Sequence, residues 1–467
     1  MIATPLVLEL GTAALMLVVF ALGLFGHGRD RRLAGMVATG GVFALGALAM
    51  ILAPSGAALG GMFVQDGLAI FAKRIFLAAT FIGLLAGLSS PQFARRSAEY
   101  HVLTLGSLLG MLVLASARDI VLLFLAFELM SIPLYVLAGF AKRSPEAIEA
   151  SLKFFLVGSV SSAVMAYGLS FVYGATGSTS LAAIARAPAD PLLTVGLLAV
   201  LTGIAFKIAA FPFHMWVPDT YEAASTPFVA WLSVAPKAAG FVTLFRIYFE
   251  GAGDRAGTWG PTAAALATLT MLAGNLMALP QKNAKRLLAY SGIAQIGYML
   301  VGIAAASASG TAMVLFYLVA YVFGNMGAFL VVEAVARSEG SESTSAFRGL
   351  AQRSPLLALA MLLFLLSLGG IPFVAGFWAK LYVFWAAAER GLYWLVLVGA
   401  LLTVVALFYY LVIAKSMYIE TPARAERVPV APALALSVIL CVVGIVVLGL
   451  YPKAVVMAAL RVAAPLF

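Results

Sequence analysis

Apolar segments of about twenty residues recur from one end of this 467-residue chain to the other. Each is long enough to cross a hydrocarbon core ~30 Å thick as an α-helix. Only 10% of the residues are charged, whereas soluble domains are roughly 25% charged. The sequence therefore predicts an all-α polytopic membrane protein that forms one membrane domain, with no separate extramembrane catalytic module.

About fourteen spans of this kind fit the sequence. They lie at residues 5–25, 34–53, 68–88, 102–117, 119–139, 148–174, 192–221, 227–249, 261–279, 286–306, 311–336, 355–388, 391–418 and 430–450. Prolines interrupt the seventh and twelfth spans, and we predict that both are broken helices. Because these spans lie five apart, two five-helix units built around them would have opposite orientations, as in transporters with inverted repeats. The predicted organisation is an N-terminal three-helix segment (1–101), a first five-helix repeat (102–250), a second, inverted repeat (251–418), and a C-terminal helix and tail (419–467).

The formal net charge of +10 is distributed unevenly over the connecting loops. Loops after odd-numbered spans hold most of the basic residues, namely Arg29, Arg31, Arg32, Arg95, Arg96, Lys142, Arg143, Lys282, Lys285, Arg286, Arg337, Arg348, Arg353, Lys415, Arg424 and Arg427. The other loops hold only Arg118, Arg186, Arg255, Arg390, Lys453 and Arg461. By the positive-inside rule, the first group faces the cytoplasm and both termini face outward. The charge thus indicates orientation and contact with anionic lipids, rather than nucleic-acid binding.

Several classes of chemistry are excluded by residue usage. Cys441 is the only cysteine, so this chain alone can form neither a disulfide nor an iron–sulfur site. The three histidines, His27, His101 and His214, are too scattered to predict a metal site. No convincing strand pattern is present, so no glycine-rich phosphate loop follows a strand.

Four ionisable side chains lie inside apolar segments: Glu128, Lys207, Lys237 and Lys380. An isolated charge in hydrocarbon costs ~2.5–3.5 kcal/mol even on the mildest scale, so it is seldom kept without a partner or a function. Lys207 and Lys237 flank the Pro-broken segment of the seventh span at 211–219, and Lys380 follows the break in the twelfth. This placement predicts a route for protons or cations.

Glu128 admits two interpretations. Its carboxyl could be neutral and hydrogen-bonded to Ser131, one helical turn further on, or it could form an ion pair with a lysine of another span. In the second case, a carboxylate that approaches and leaves the amine would switch that lysine between holding and releasing a proton. For each of the three lysines, a purely structural salt bridge is the alternative to a relay.

Two further residues are lesser relay candidates. Lys153 follows Glu149 by one helical turn, the favourable order for a surface ion pair, so a structural role is an equal alternative. His214 lies in the first broken segment, where it could relay protons or simply pack through a hydrogen bond. Between Lys237 and Lys380 the chain offers polar side chains that could hold water or link helices, namely Tyr290, Ser291, Gln295, Tyr298, Tyr317, Tyr321 and Asn325.

The remaining charges near helix ends have simpler expected roles. Lys73, Arg74 and Arg246 are predicted to extend toward the membrane surface, as long basic side chains do near the ends of spans. Asp219 and Glu222 flank the restart of the helix after the first break, where capping is the plainer explanation.

Four segments resemble the antiporter-like subunits of respiratory complex I, and within that group the N type of bacterial NADH:quinone oxidoreductase. They are FKIAAFPFHMWVPDTYEAASTP at 206–227, VAPKAAG at 234–240, NAKRLLAYSGIAQIGY at 283–298 and GGIPFVAGFWAK at 369–380. The resemblance covers essentially the whole chain. It implies fourteen helices with two inverted five-helix repeats, and a multi-pass protein of the bacterial inner (plasma) membrane with both termini on the periplasmic side.

The resemblance also implies roles for the buried residues. Glu128 and Lys207 would be the coupled pair, Lys237 the central relay, and Lys380 the group nearest the exit, in a subunit that pumps protons when quinone is reduced elsewhere. Many relatives have a histidine where this chain has Gln295. Because glutamine does not titrate, the central relay here is expected to run through water, Lys237 and neighbouring hydroxyls, with Tyr298 and Tyr321 as candidates.

By the same resemblance, this chain binds no redox cofactor. FMN, iron–sulfur clusters and quinone, either ubiquinone or menaquinone, would belong to partner subunits, which are other membrane and peripheral subunits of complex I. A neighbouring antiporter-like subunit and small membrane subunits are expected among them. A subunit of a multi-subunit cation/proton antiporter is the alternative function, and a scaffold whose buried charges only fix helix register is a third.

Overall fold

The chain folds into a bundle of apolar helices whose ends agree closely with the predicted spans. The computed structural model describes residues 5–25, 30–52, 54–94, 96–252, 255–422 and 424–467. Among these residues, thirteen helices are long and apolar enough to cross a membrane. The shorter Pro355–Gly369 and Ala375–Glu389 together form the remaining predicted span. His27, Arg29 and Arg95, which entered the sequence analysis, lie outside the described residues.

We number the spans in chain order by their helices. Spans 1 to 6 are Val7–Phe25, Asp30–Ile51, Gly67–Gly87, Ser97–Ser116, Ile120–Ala138 and Pro145–Thr176. Span 7 is Pro191–Ile208 with Trp216–Ala223, and span 8 is Thr226–Leu232, Ala235–Leu244 and the π-helix Phe245–Gly251. Spans 9 to 14 are Ala256–Ala278, Ala284–Ala304, Ala308–Glu339, Pro355–Gly369 with Ala375–Glu389, Tyr393–Tyr418, and Pro432–Leu450.

The predicted division between spans 4 and 5 at Arg118-Asp119 is confirmed. Span 4 ends at Ser116, and the Asp119 side chain accepts hydrogen bonds from the backbone N–H groups of Val121 and Leu122, at 2.8 and 3.2 Å. An acidic N-cap of this kind satisfies amides that have no partner within the helix. A single charged residue beside a capping aspartate is therefore enough to separate two apolar helices.

The break in span 7 is confirmed, and aromatic packing holds its two halves together. The first helix ends at Ile208, and Ala209 adopts the left-handed conformation at φ 66°. The Trp216 indole N–H donates to the Phe206 carbonyl at 3.2 Å, and its ring stacks on Phe154 at 4.0 Å between centroids. The buried Trp216 side chain thus holds the two halves of the interrupted helix together inside the protein.

The break in span 12 is also confirmed, and it depends on a close backbone contact. Gly370 ends the first half in the left-handed region at φ 80°. The Gly376 N–H donates to the Ser367 hydroxyl at 3.1 Å. An added Cβ at position 376 would lie 1.7 Å from the Ser367 carbonyl oxygen, so only glycine lets the two halves approach this closely.

The core lies around spans 8, 10 and 11. The most apolar window of span 8 is entirely buried, and the corresponding windows of spans 10 and 11 are 94% and 89% buried. Spans 1, 6 and 13 are only 22%, 33% and 33% buried, which suits helices that face lipid. The central relay candidate, Lys237, is carried by the most enclosed span.

Among the described residues, the structure contains local features that the sequence analysis did not predict. A small antiparallel hairpin pairs Gly56–Ala58 with Phe63–Gln65, although no strand pattern was expected. Strands of three residues are too short to show an alternating pattern. The C-terminal tail contains a further helix, Lys453–Ala463, and span 8 ends in a π-helix. The domain boundaries and the inverted repeat stay predictions.

Candidate functional site

The three lysines singled out in the sequence are all buried within the bundle. Lys207, Lys237 and Lys380 are only 2%, 1% and 4% exposed. Within the described ranges, none of the three lies within 4.0 Å of a carboxylate oxygen. The alternative of a structural salt bridge is therefore wrong for each of them. Glu128 is half-buried on span 5.

Lys207 occupies the last turn before the break in span 7 and is surrounded by aromatic rings. Its Nζ lies 5.2 Å from the centroid of Phe127, 5.5 Å from Phe206 and 5.7 Å from Tyr135. Among the described residues it has no hydrogen-bond partner. Ring faces attract a cation electrostatically without supplying a negative charge that would fix it.

Glu128 makes neither of the contacts expected for it. Its Oε1 accepts a hydrogen bond of 2.6 Å from the hydroxyl of Ser162 on span 6. The Ser131 hydroxyl donates instead to the Phe127 carbonyl, also at 2.6 Å. In the part of the chain that the structure describes, Glu128 forms no ion pair with Lys207, although Phe127, its neighbour in sequence, contacts that lysine.

Lys237 lies at the start of the central helix of span 8, directly after Pro236. Its Nζ is 5.5 Å from the centroid of the Tyr221 ring. An added Cβ at Gly292 would lie 2.9 Å from the Tyr321 hydroxyl and 3.4 Å from the Lys237 amine. The Lys237 amine and the Tyr321 hydroxyl therefore both lie beside Gly292 of span 10, which has no side chain. Neither group has a hydrogen-bond partner among the described residues.

Lys380 lies beside the break in span 12. Its amine donates to the Gly369 carbonyl at 3.4 Å and lies 4.3 Å from the centroid of the Tyr298 ring. Gly369 is the last residue of the first half of the span, so its carbonyl lacks a partner within its own helix. Freed carbonyls at broken helices are typical ion-binding positions in transporters.

Gln295 links several spans, and it lies on span 10 between Gly292, beside Lys237, and Tyr298, beside Lys380. Its Oε1 accepts from the Tyr317 hydroxyl at 2.5 Å, and its Nε2 donates to the Leu368 carbonyl and the Tyr410 hydroxyl at 3.0 and 3.2 Å. The Tyr410 hydroxyl is 2.5 Å from that of Ser291. This amide therefore holds together spans 10, 11, 12 and 13 in a polar network deep in the bundle.

The remaining candidates differ in their surroundings. The Tyr298 hydroxyl accepts from Asn275 at 3.2 Å, and its ring lies against the Lys380 amine. His214, within the first break, is 5% exposed, and its ring stacks on Phe211 at 5.5 Å. Lys153 pairs with Glu149 at 2.7 Å, as predicted, and also with Asp219 at 3.0 Å. Its side chain is 47% exposed, so it is a surface group rather than a buried one.

Asp219 and Glu222 do not cap the restarted helix. Both accept from the Arg286 guanidinium of span 10 at 2.8 Å. The helix Trp216–Ala223 has no side-chain cap, because Met215 precedes it. The two carboxylates instead connect the second half of span 7 to span 10, across the predicted boundary between the repeats.

Sequence reasoning missed two buried charge clusters, which lie at the end of the bundle opposite to Asp219, Glu222 and Arg286. Lys73, fully buried, pairs with Glu9 at 2.6 Å and donates to the Gln65 amide oxygen at 2.6 Å. Lys73 therefore does not extend to the membrane surface. The isolated Glu9 in the first apolar span was the available signal, because a buried carboxylate requires a cationic partner.

The second of these clusters, which we call the Asp66 cluster, contains Asp66, Arg118, Arg246 and Glu250. Arg246, also fully buried, donates to Asp66 at 2.8 Å, to Glu250 at 2.9 Å and to the Ala115 carbonyl. Arg118 pairs with Asp66 at 2.7 Å and with Glu250. The prediction that Arg246 extends to the membrane surface is thus wrong. The cluster fastens the start of span 3 and the junction of spans 4 and 5 to the end of span 8.

The Asp66 cluster predicts that stability depends on pH. Burial alone would raise the pKa of the Asp66 carboxyl, but the hydrogen bond and charge of Arg246, with the Ala69 N–H and Arg118, outweigh it and hold that pKa well below its ordinary value of 3.8. A carboxyl with a lowered pKa in the folded state stabilises that state above its unfolded pKa. This contribution is lost as the pH falls through the folded pKa.

We therefore expect wild type to have a higher Tm than Asp66→Asn near neutral pH, with a gap that narrows below about pH 4. The measurement is thermal unfolding of the detergent-solubilised protein over a pH series. A gap of constant size down to low pH would contradict the assignment of ionised Asp66 to this cluster.

Comparison with known proteins identifies relatives along almost the whole chain. Residues 117–406 match the family described as NADH:quinone oxidoreductase/Mrp antiporter, TM. NADH-quinone oxidoreductase subunit N of Moorella thermoacetica is 43% identical over 457 residues, covering 96% of this chain and 95% of that protein. The protein of the same name from Anaeromyxobacter is 41% identical over 474 residues, covering 93% of this chain and 91% of that protein.

Solved structures agree with these relatives. A chain of respiratory complex I from Thermus thermophilus with bound aureothin is 33% identical, with a TM-score of 0.84, covering 97% of this chain and 99% of that one. A chain of the Mrp complex from Dietzia has a TM-score of 0.90 at 22% identity, covering 100% of this chain and 98% of that one, and shows likeness of fold alone. The chain therefore belongs to the NADH:quinone oxidoreductase/Mrp antiporter membrane family, in the group of its subunit N proteins.

Proposed function

We propose that this chain translocates protons as a membrane subunit of NADH:quinone oxidoreductase, driven by quinone reduction in partner subunits. The observation that carries the proposal is the burial of Lys207, Lys237 and Lys380 without a carboxylate partner among the described residues. A buried amine that lacks a fixed counter-charge can exist in both protonation states, which a proton relay requires. The two broken helices supply the polar backbone beside Lys207 and Lys380.

Glu128 and Lys207 form the coupled pair in this proposal. In the present arrangement the Glu128 carboxylate is held by Ser162, and the Lys207 amine lies among aromatic rings with no hydrogen-bond partner in the described part of the chain. Movement of the carboxylate from Ser162 toward the amine would stabilise the charged lysine, and its return would favour proton release. The Ser162 hydrogen bond therefore corresponds to the separated state of the pair.

Lys237 is the central relay, and Lys380 is the group nearest the exit. The Tyr321 hydroxyl and the Lys237 amine both lie beside Gly292, and the Tyr298 ring lies against Lys380. Between them, Gln295 cannot accept and release protons at neutral pH, so it acts by holding hydroxyl groups in place. Protons would pass along water and hydroxyls beside this network. His214, at the first break, and Lys153, at the surface, are lesser members of the proposed relay.

The chain itself is proposed to carry no redox centre. A single buried cysteine cannot hold an iron–sulfur cluster, which needs several thiolate ligands. FMN, iron–sulfur clusters and quinone would then be bound by partner subunits. Those partners would be the peripheral subunits, a neighbouring antiporter-like subunit and small membrane subunits of complex I.

The proposed location is the bacterial inner membrane, with both termini on the periplasmic side. The support is the concentration of basic residues in loops after odd-numbered spans. In this orientation, the ion pairs that Asp219 makes with Lys153 and Arg286 face the cytoplasm, where protons would enter. The Asp66 cluster then faces the periplasm.

The test compares Lys237→Ala with Lys142→Ala, which changes an exposed loop lysine, in the complete complex reconstituted into liposomes. We expect Lys237→Ala to lower the number of protons moved per NADH oxidised while electron transfer continues. Lys142→Ala should leave this ratio at the wild-type value. Unchanged pumping by a normally assembled Lys237→Ala complex would favour the scaffold alternative.

A subunit of a multi-subunit cation/proton antiporter remains the second candidate, because the matching family includes Mrp antiporters. The two functions differ in their partners. Purification in mild detergent should recover flavin- and iron–sulfur-containing subunits with this chain if it serves NADH:quinone oxidoreductase. Recovery with membrane subunits alone, and sodium/proton exchange in the absence of NADH, would favour the antiporter.

A further inference from the structure

An apolar groove of about 650 Å³ runs along the outer face of the bundle between the first half of span 12 and span 14. Aliphatic side chains of both helices line it, including Leu356, Leu359, Leu363, Val438, Ile439 and Val443. Several of these side chains are exposed: Leu356 is 82% exposed, Ile439 56% and Val443 52%. The groove therefore lies on the outer surface of the described protein rather than in its interior.

The polar lining of this groove lies at one end. Arg353, Ser354 and Arg427 line the groove where spans 12 and 14 begin. Arg353 already donates to Glu339 at 2.6 Å and to the Glu426 carbonyl at 2.8 Å. Arg427 is exposed, and within the described ranges no carboxylate lies within 4.0 Å of its guanidinium. The groove thus has an unneutralised guanidinium at its mouth.

The orientation of the two helices adds to this positive charge. Both begin at the Arg427 end, at Pro355 and Pro432. The N-terminus of a helix carries a partial positive charge, so the two dipoles and the free guanidinium have the same sign. An elongated apolar channel with a cationic mouth at the membrane surface has the charge and polarity pattern opposite to that of an anionic lipid.

We propose that this groove binds one phospholipid with an anionic headgroup, from the leaflet on the basic side of the protein. An acyl chain would lie along the aliphatic lining of spans 12 and 14, and the phosphate would contact Arg427. Charge complementarity favours this occupant over a helix of a partner subunit, because the polar lining of the described groove is confined to its cationic mouth and the rest is aliphatic. The inference does not depend on the proposed proton route.

The test uses the complete complex, equilibrated in detergent micelles with equal amounts of phosphatidylglycerol and phosphatidylcholine, then washed. Bound lipids are counted by mass spectrometry. Arg427→Gln removes the charge and leaves the groove, so we expect it to retain one phosphatidylglycerol fewer than wild type. Arg143→Gln, an exposed arginine of the same basic side outside the groove, is the matched control and should retain the wild-type count.

A second variant, Ala435→Trp, fills the groove without changing its charge. We expect it to retain one phospholipid fewer, whichever headgroup is supplied. Wild-type lipid counts in both Arg427→Gln and Ala435→Trp would overturn the proposal. Loss of a partner subunit from Ala435→Trp, with no change in lipid count, would also overturn it, because a protein helix would then occupy the groove.

Discussion

Gly376→Ala is expected to prevent stable assembly of this subunit. The added Cβ would lie 1.7 Å from the Ser367 carbonyl oxygen and 2.6 Å from its carbonyl carbon. Both are backbone atoms of the helix before the break, so neither can rotate away as a side chain would. The clash can be relieved only by separating the two halves of span 12. Because Lys380 lies one turn further along the second half, its amine would move away from the Gly369 carbonyl.

The expected cost exceeds that of ordinary overpacking, which is about 1–3 kcal/mol, because rigid backbone lies on both sides of the contact. The measurement is the amount of subunit recovered in the purified complex, followed by its thermal unfolding. Gly257→Ala is a matched control in the helix of span 9, where an added Cβ has no atom within 4 Å. That change should be neutral or stabilise the helix by ~0.5–1 kcal/mol. Normal assembly of Gly376→Ala would contradict the close contact within span 12.

Arg246→Ala is expected to be nearly as damaging, for an electrostatic reason. The guanidinium is fully buried and donates to Asp66, Glu250 and the Ala115 carbonyl. Its removal leaves Asp66 and Glu250 paired only with Arg118. Two carboxylates would then share one guanidinium, which leaves one negative charge without compensation. Breaking a buried pair by removing one partner costs about 3–5 kcal/mol. We expect a large loss of subunit from the complex and a lower Tm for the protein that remains.

A double substitution separates this cause from a loss of packing. Asp66→Asn removes the carboxylate that Arg246 neutralises, so Arg246→Ala should cost less in the Asp66→Asn background than in wild type. Arg186→Ala, at an exposed arginine, is the control and should change stability by no more than about 0.5 kcal/mol. Equal costs of Arg246→Ala in both backgrounds would contradict an electrostatic origin.

The fold was predictable from sequence because each span is a long apolar run with visible ends. The separation at Arg118-Asp119 and the two Pro-broken helices needed only hydropathy and proline placement. The hairpin at Gly56–Ala58 and Phe63–Gln65 was not predictable, because pairs of three-residue strands carry no periodic signal. The π-helix at Phe245–Gly251 was missed for a different reason, since its residues resemble those of any apolar helix.

The buried lysines of the candidate site were predictable because each stands alone in an apolar segment. Their partners were not, because hydropathy does not tell which face of a helix a residue occupies. For this reason, the contact of Glu128 with Ser162 rather than Ser131 was not predicted. The same limitation explains the error at Lys73 and Arg246, whose positions near helix ends suggested exposure although Glu9 and Asp66 neutralise them inside the protein.

The complete enclosure of span 8 restricts how this protein can evolve. Every residue from Thr226 to Phe249 is covered by neighbouring helices, whereas much of span 13 is exposed on the outer surface of the described bundle. A new side chain on span 13 needs only to be apolar, because fluid acyl chains adapt to its shape. On span 8, a change of size must be matched by a reciprocal change in another helix. Span 8 should therefore drift slowly, through paired substitutions, while span 13 diverges freely among related proteins.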